Sequence, residues 1–170
     1  MYASFVSVVG GELVSVPRTK AFDVDLPAIR SAARKGAKII FLASPNNPSG
    51  NLVDEAIVRQ LLELDLLVVV DEAYYEFAGT TLAHLIPHYS NLVVLRTFSK
   101  WAGLAGIRLG YGIMDPAVAE RLMVVKPPYN LSVAAEVALL ASLEDKALLL
   151  SRVQSIMAER ERLFAHLRQI

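Results

Sequence analysis

Four short stretches carry residues whose types and spacing suit them to chemistry: SPNNPSG at 44–50, VVDEAYYEF at 69–77, RTFSK at 96–100 and GLAGIRLGYG at 103–112. Lys100 is the most unusual of their residues. Its neighbours are Phe98, Ser99, Trp101, Ala102 and Gly103, with no carboxylate near it in sequence. A lysine is ordinarily solvated. One held among small and apolar groups is expected to be desolvated, which lowers its pKa and makes it a nucleophile toward a carbonyl carbon. Around it stand groups that bind or orient: Asn46 and Asn47, Asp71 and Tyr74, Thr97 and Ser99, and Arg108.

Each of these has an ordinary structural role available. Asn46 and Asn47 are turn formers that shape a loop. Asp71 suits a cap on a following helical turn, and Tyr74 a core aromatic with a wet hydroxyl. Thr97 and Ser99 are able to close turn hydrogen bonds, and Arg108 to pair with an acidic neighbour. What sets them apart is that they stand together at the ends of apolar runs.

The runs themselves are KIIFLA at 38–43, LLVVVDEAY at 66–74 and LVVLRTF at 92–98, continuous and rich in leucine and β-branched residues, as strands buried on both faces are. Between the first two, DEAIVRQLLEL at 54–64 places Ile57, Leu61 and Leu64 on one helical face behind Asp54 as cap. That is a β-α-β unit, hence a parallel pair with a right-handed crossover. GELVSVP at 11–17 and RLGYGIM at 108–114 are expected to extend the sheet. The chain turns helical after Pro116, and from Ser132 stays so almost to the end. Over 143–168, Leu143, Ala147, Leu150, Val153, Met157, Phe164 and Leu167 fall at helical spacing, with one longer gap across the charged ERER. The opening MYASFVSVVGG reads as the last turns of a helix closed by Gly10, and the closing RERLFAHLRQI as a helix without a stop signal. Both ends look cut. In a largely parallel sheet, ligands collect at the carboxyl ends of the strands, and the polar residues named above all fall there.

One cofactor uses this whole inventory. Pyridoxal phosphate needs a lysine for its aldehyde, a carboxylate for its pyridine nitrogen, hydrogen-bond donors for its phenolic oxygen, and hydroxyls with an arginine for its phosphate. In order and separation, SPNNPSG, VVDEAYYEF, RTFSK and GLAGIRLGYG resemble the fold-type I aminotransferases, and within them most resemble the histidinol-phosphate aminotransferases. The resemblance covers nearly the whole chain. It implies an α/β fold, a three-layer α-β-α sandwich with a mainly parallel sheet, in which residues 1–142 belong to a cofactor-binding large domain. Residues 143–170 would be a long helix leading toward a small C-terminal domain.

It also implies roles. Lys100 would carry the cofactor's aldehyde and shuttle the proton between the substrate's α-carbon and the cofactor. Asp71 would hold the pyridine nitrogen, Asn47 and Tyr74 the phenolic oxygen, and Thr97, Ser99 and Arg108 the phosphate. The implied reaction passes an amino group from histidinol phosphate, or a related amino donor, to the 2-oxo acid 2-oxoglutarate, in a homodimer with its sites at the subunit interface. A threonine-phosphate decarboxylase shares these motifs and is the alternative within the class. A truncated core without turnover is the alternative outside it. In the family, a phosphate loop and a cross-dimer tyrosine lie upstream of residue 1, and a carboxylate-gripping arginine lies downstream of residue 170. The isolated segment is therefore expected to be inactive, with an apolar stripe along Leu150, Val153, Met157 and Phe164 left exposed. Many relatives carry a smaller residue at the position of Trp101, which raises the question of how its indole is housed.

Composition narrows the remaining classes. The 170 residues are 54% hydrophobic and 20% charged, with 17 basic against 17 acidic residues, enough apolar matter for a core. No basic run exceeds Arg34-Lys35, so neither nucleic acid nor an anionic membrane surface is an indicated partner. Charged residues interrupt every apolar stretch before membrane-spanning length, and a cytoplasmic protein is the default expectation. With no cysteine there is no disulfide framework or thiolate metal site. His84 and His88 stand i, i+4 but with Pro87 between them and no evident third ligand, so no metal site is expected. No G-x-S-x-G elbow and no glycine-rich phosphate loop of the Walker or dinucleotide type is present.

Overall fold

The computed structural model describes residues 2–169. The chain runs α1 (Tyr2–Val8), α2 (Leu26–Arg34), β1 (Ile39–Ala43), α3 (Glu55–Leu62), β2 (Leu67–Asp71), α4 (Tyr75–Ala78), β3 (Leu92–Thr97), β4 (Gly110–Met114), α5 (Pro116–Val125), α6 (Val133–Glu144) and α7 (Lys146–Leu167). Short 3₁₀ turns cover Ala83–His88 and Ala105–Ile107.

The three apolar runs become three parallel strands. Ile39 pairs with Leu67 and Ala43 with Asp71, and Val68 pairs with Leu92 and Asp71 with Leu95. β4 then adds antiparallel to β3, with Val93 opposite Met114 and Thr97 opposite Gly110. The order is β1-β2-β3-β4. Alternation along the strands gives each face its own set of side chains. Val68, Val70, Leu92 and Val94 join Ile29, Val58, Leu61, Leu62 and Leu85 in the main core, which docks α2 and α3 on one face. A second cluster forms where Trp101 and Ala102 meet Val153 of α7, with Phe77, Phe98, Leu149, Leu150 and Met157 around them. The result is a mainly parallel sheet flanked by helices, as expected.

Local chemistry explains the helix starts. The Asp54 carboxylate accepts from the Ala56 N–H at 2.8 Å, Asp25 from Ala28, Asp115 from Ala117, and the Ser132 hydroxyl from Ala135, each satisfying a first-turn donor. Gly10 sits at φ +69° just after α1, the left-handed closure expected of it. Among the described residues no helix is long and apolar enough to cross a membrane.

Three expectations need correction. Residues 11–17 form no strand. Val16 reaches the main core, but Leu13 and Val14 stay about half exposed, so this segment lacks a buried face and β1 remains an edge. The long helix expected over 143–170 starts later, at Lys146, because Asp145 ends α6 and begins α7. Finally, the apolar stripe is largely covered: Val153 is 1% exposed and Leu150 and Met157 lean on the Trp101 cluster, while Phe164 is 57% exposed. The same cluster answers the question of Trp101, whose indole is 9% exposed against α7.

Candidate functional site

The carboxyl ends of β1, β2 and β3 lie side by side, because the register pairs Ala43 with Asp71 and Asp71 with Leu95. The loop leaving β1 is fastened to β2 through the Ser44 N–H, which donates to the Asp71 carbonyl at 2.9 Å. The Ser44 hydroxyl accepts from Val53 at 3.0 Å, and the Asn46 amide donates to the Ser49 hydroxyl at 2.8 Å. Asn46 therefore shapes the loop. Asn47 faces out of it and donates to the Tyr74 hydroxyl at 3.4 Å.

Lys100 comes to the same place, its Nζ 5.4 Å from the centre of the Tyr74 ring. Its expected desolvation is not observed: the residue is exposed. The reason is visible in the turn that follows β3. Trp101 and Ala102 point inward to the α7 cluster, Gly103 turns the chain at φ +71°, and the lysine between Ser99 and Trp101 is left outside. Its apolar neighbours bury themselves rather than it.

Asp71 ends β2. One carboxylate oxygen accepts from the Ala73 N–H at 3.0 Å, which is the capping role. The other accepts a short hydrogen bond from the Tyr2 hydroxyl. Tyr2 is a site residue that the sequence reading missed. Its ring stacks on Phe41 with centroids 4.5 Å apart. Burial, followed by the hydrogen bond to Asp71 and that group's negative charge, raises the Tyr2 pKa well above the usual tyrosine value. A tyrosine opening a helix next to an edge strand, 69 residues before the aspartate, carries no sequence signal of its own.

The remaining three candidates are less gathered. The Thr97 hydroxyl donates to the Leu109 carbonyl at 3.2 Å and accepts from the Ser99 N–H at 3.1 Å, so it closes the turn that presents Ser99 and Lys100. Arg108 has a left-handed backbone at φ +61° and its guanidinium donates to the Ala105 carbonyl at 2.7 Å. No hydrogen bond among the described residues joins Arg108 to Thr97 or Ser99. Asn47 and Tyr74 also line a cleft of about 520 Å³ with Pro45, Phe77, Met157 and Arg160, reaching from the β1 loop to α7. His84 is engaged elsewhere, with Nε2 3.0 Å from Glu55 and Nδ1 3.0 Å from the Thr81 carbonyl.

An amine, a carboxylate, a phenol and an amide thus meet where three parallel strands end, an arrangement proper to a ligand site in an open α/β sheet. Residues 1–170 match the family described as aminotransferase class I and II, and the chain belongs to that family. Among curated relatives, the histidinol-phosphate aminotransferase of Roseiflexus castenholzii is 52% identical over 168 residues, 98% of this chain and 45% of the relative. The chloroplastic histidinol-phosphate aminotransferase of Nicotiana tabacum is 43% identical over 172 residues, 100% of this chain and 42% of the relative. Among solved structures, the histidinol-phosphate aminotransferase of Clostridium acetobutylicum superposes with a TM-score of 0.89 at 26% identity, covering 99% of this chain and 53% of that one. That of Sinorhizobium meliloti, in complex with pyridoxal-5'-phosphate, gives 0.85 at 31% identity, covering 95% and 46%. The chain spans about half the length of the relatives it matches.

Proposed function

We propose that this chain contributes the cofactor-holding part of a pyridoxal-phosphate-dependent histidinol-phosphate aminotransferase. The observation that carries the reading is the convergence of Lys100, Tyr74 and Asn47 beside Asp71 at the ends of β1 to β3. The donor set fits the cofactor. Asp71 presents an oxygen that accepts from the Tyr2 hydroxyl, a contact a ring N–H would replace, and Asn47 and Tyr74 offer donors with the Lys100 Nζ 5.4 Å from the Tyr74 ring.

When bound, pyridoxal phosphate supplies an aldehyde for an amine and a protonated ring that withdraws electrons. The chain's residues do the rest. The Nζ of Lys100, exposed beside the Tyr74 ring, would hold the aldehyde and, as a free amine, would move the proton of the substrate's α-carbon. The Asp71 carboxylate keeps the proton on the ring nitrogen through a charge-assisted hydrogen bond. Asn47 and Tyr74 orient the phenolic oxygen, and Thr97, Ser99 and Arg108 take the phosphate. Arg108 must exchange its contact with the Ala105 carbonyl to do so. The substrates are histidinol phosphate as amino donor and 2-oxoglutarate as acceptor, giving imidazole acetol phosphate and glutamate. The protein acts as a cytoplasmic homodimer. The names of the relatives, at 42–52% identity, support this choice of amino donor over other members of the family.

Borohydride reduction of protein loaded with pyridoxal phosphate, followed by peptide mapping, tests the assignment. The label is expected on Lys100, and a label on another lysine overturns it.

A further inference from the structure

A second cluster alternates with the candidate site in sequence. Glu72 follows Asp71, Tyr75 follows Tyr74, and Arg96 precedes Thr97. Glu72 is 2% exposed. One of its oxygens accepts from the Leu82 N–H at 2.7 Å and the Thr81 hydroxyl at 3.1 Å. The other lies 2.8 Å from the same hydroxyl and accepts from Arg96 Nε at 3.1 Å and Nη2 at 2.9 Å. Arg96 also donates to the Thr81 hydroxyl at 2.7 Å, and its guanidinium lies 3.6 Å from the centre of the Tyr75 ring. The Glu72 N–H extends the sheet ladder by donating to the Leu95 carbonyl at 2.9 Å.

Because successive strand residues point to opposite faces, Arg96 and Thr97 leave β3 in opposite directions. The cluster therefore grips the ends of β2 and β3 from the side away from Thr97. An exposed ion pair would do little, being free to rearrange, but this one is closed on itself and nearly dry. Stability alone is a weak reason for burying charge, since apolar replacements of a buried pair are often neutral or stabilising. A planar guanidinium held by a carboxylate, a hydroxyl and an aromatic face instead fixes geometry.

We infer that Glu72, Arg96 and Tyr75 are positioning residues for the candidate site, setting the separation of Asp71 and Tyr74 on one loop from Thr97, Ser99 and Lys100 on the next. The inference rests on the cofactor reading above. None of the three touches the proposed ligand; each acts through a chain neighbour that does.

The test uses the natural protein that carries this chain, with Glu72→Gln, Arg96→Lys and, as a control for stability alone, Val58→Ala on the buried face of α3. Three quantities are read: the thermal midpoint, the dissociation constant for pyridoxal phosphate, and the visible circular dichroism of the bound cofactor, which reports its orientation. Glu72→Gln and Arg96→Lys are expected to weaken cofactor binding about tenfold or more and to change the dichroic band. Val58→Ala is expected to lower the thermal midpoint as much while leaving both within about twofold. Where Glu72→Gln fails to fold, Arg96→Lys and Tyr75→Leu carry the same comparison. Cluster variants that bind within about twofold of the unaltered protein, with an unchanged band, overturn the inference. An unaltered protein that takes up no pyridoxal phosphate instead refutes the functional reading on which it rests.

Discussion

Trp101→Ala separates the two jobs of the turn that carries Lys100. Trp101 is 9% exposed and holds Leu149, Leu150, Val153 and Met157 of α7 against Phe77 and Phe98, whereas most other apolar residues of that helix, among them Leu148, Ile156, Leu163 and Phe164, are half exposed. Removing a buried aromatic costs about 3–5 kcal/mol. Here the loss is smaller, because the indole N–H is buried with no acceptor among the described residues, and deleting such a donor recovers roughly 1–3 kcal/mol. The net expectation is ~2–3 kcal/mol, borne by the docking of α7. Amides of α7 should then exchange with deuterium roughly 30- to 150-fold faster, while those of β2, whose Val68 and Val70 belong to the main core and not to the Trp101 cluster, change much less. Hydrogen exchange read by mass spectrometry or NMR measures both. Protection of α7 within about threefold of the unaltered chain would show that the helix is not held by Trp101. Trp101→Phe, which keeps a ring and drops the unpaired N–H, should cost less than about 1 kcal/mol.

Further outcomes follow from particular contacts. In the loaded natural protein, Asp71→Asn should slow the half-reaction with the amino donor by roughly 10- to 150-fold, the worth of one hydrogen bond to a charged group, and Asp71→Glu by less; stopped-flow spectroscopy reads both. Gly110→Ala should destabilise the chain by about 1–3 kcal/mol in urea titration, since a Cβ there would lie 2.7 Å from the Arg96 carbonyl oxygen across the β3–β4 pair. Burial raises the pKa of Glu76 above the ordinary carboxylate value, against the weaker pull of its own backbone hydrogen bond and Arg96. Its folded form thus binds the proton more readily than its unfolded form, so this group favours the fold at acid pH and opposes it once ionised. Glu76→Gln should therefore raise the urea midpoint at pH 7 and leave it unchanged below the ordinary carboxylate range.

The parts of the fold legible in the sequence are those in which the apolar pattern had one reading. KIIFLA, LLVVVD and LVVLRT are too short and too β-branched for helices, and Asp54 announces α3. GELVSVP had the same local character but offered one residue, Val16, to the core, and a strand needs a partner that periodicity does not supply. The candidate site was named in the sequence by residue type, and the structure brings Asn47, Tyr74 and Lys100 close together. Its solvation was not legible, because the environment of Lys100 depends on which way Trp101 turns, a matter settled by α7 some fifty residues later. Glu72 and Arg96 escaped notice for a related reason. Each looks like any surface charge until the register of β2 on β3 brings the two together. A signal was available in the pairing of opposite charges next to two site residues at neighbouring strand ends.

The strand order carries a consequence for how the molecule is made. The order across the sheet, β1-β2-β3-β4, is also the order along the chain. Among the described residues each ladder therefore joins consecutive strands, so β2, β3 and β4 each find the preceding strand already made. Pairings of short sequence separation are the ones that close fastest, and a chain leaving the ribosome N-terminus first meets them in turn. The loops that bear Asn47, Asp71 and Lys100 are laid down in the same sequence. The candidate crevice formed by these loops is thus laid down from one side to the other as translation proceeds, and the turn bearing Lys100 is packed only when α7 has emerged to settle on Trp101.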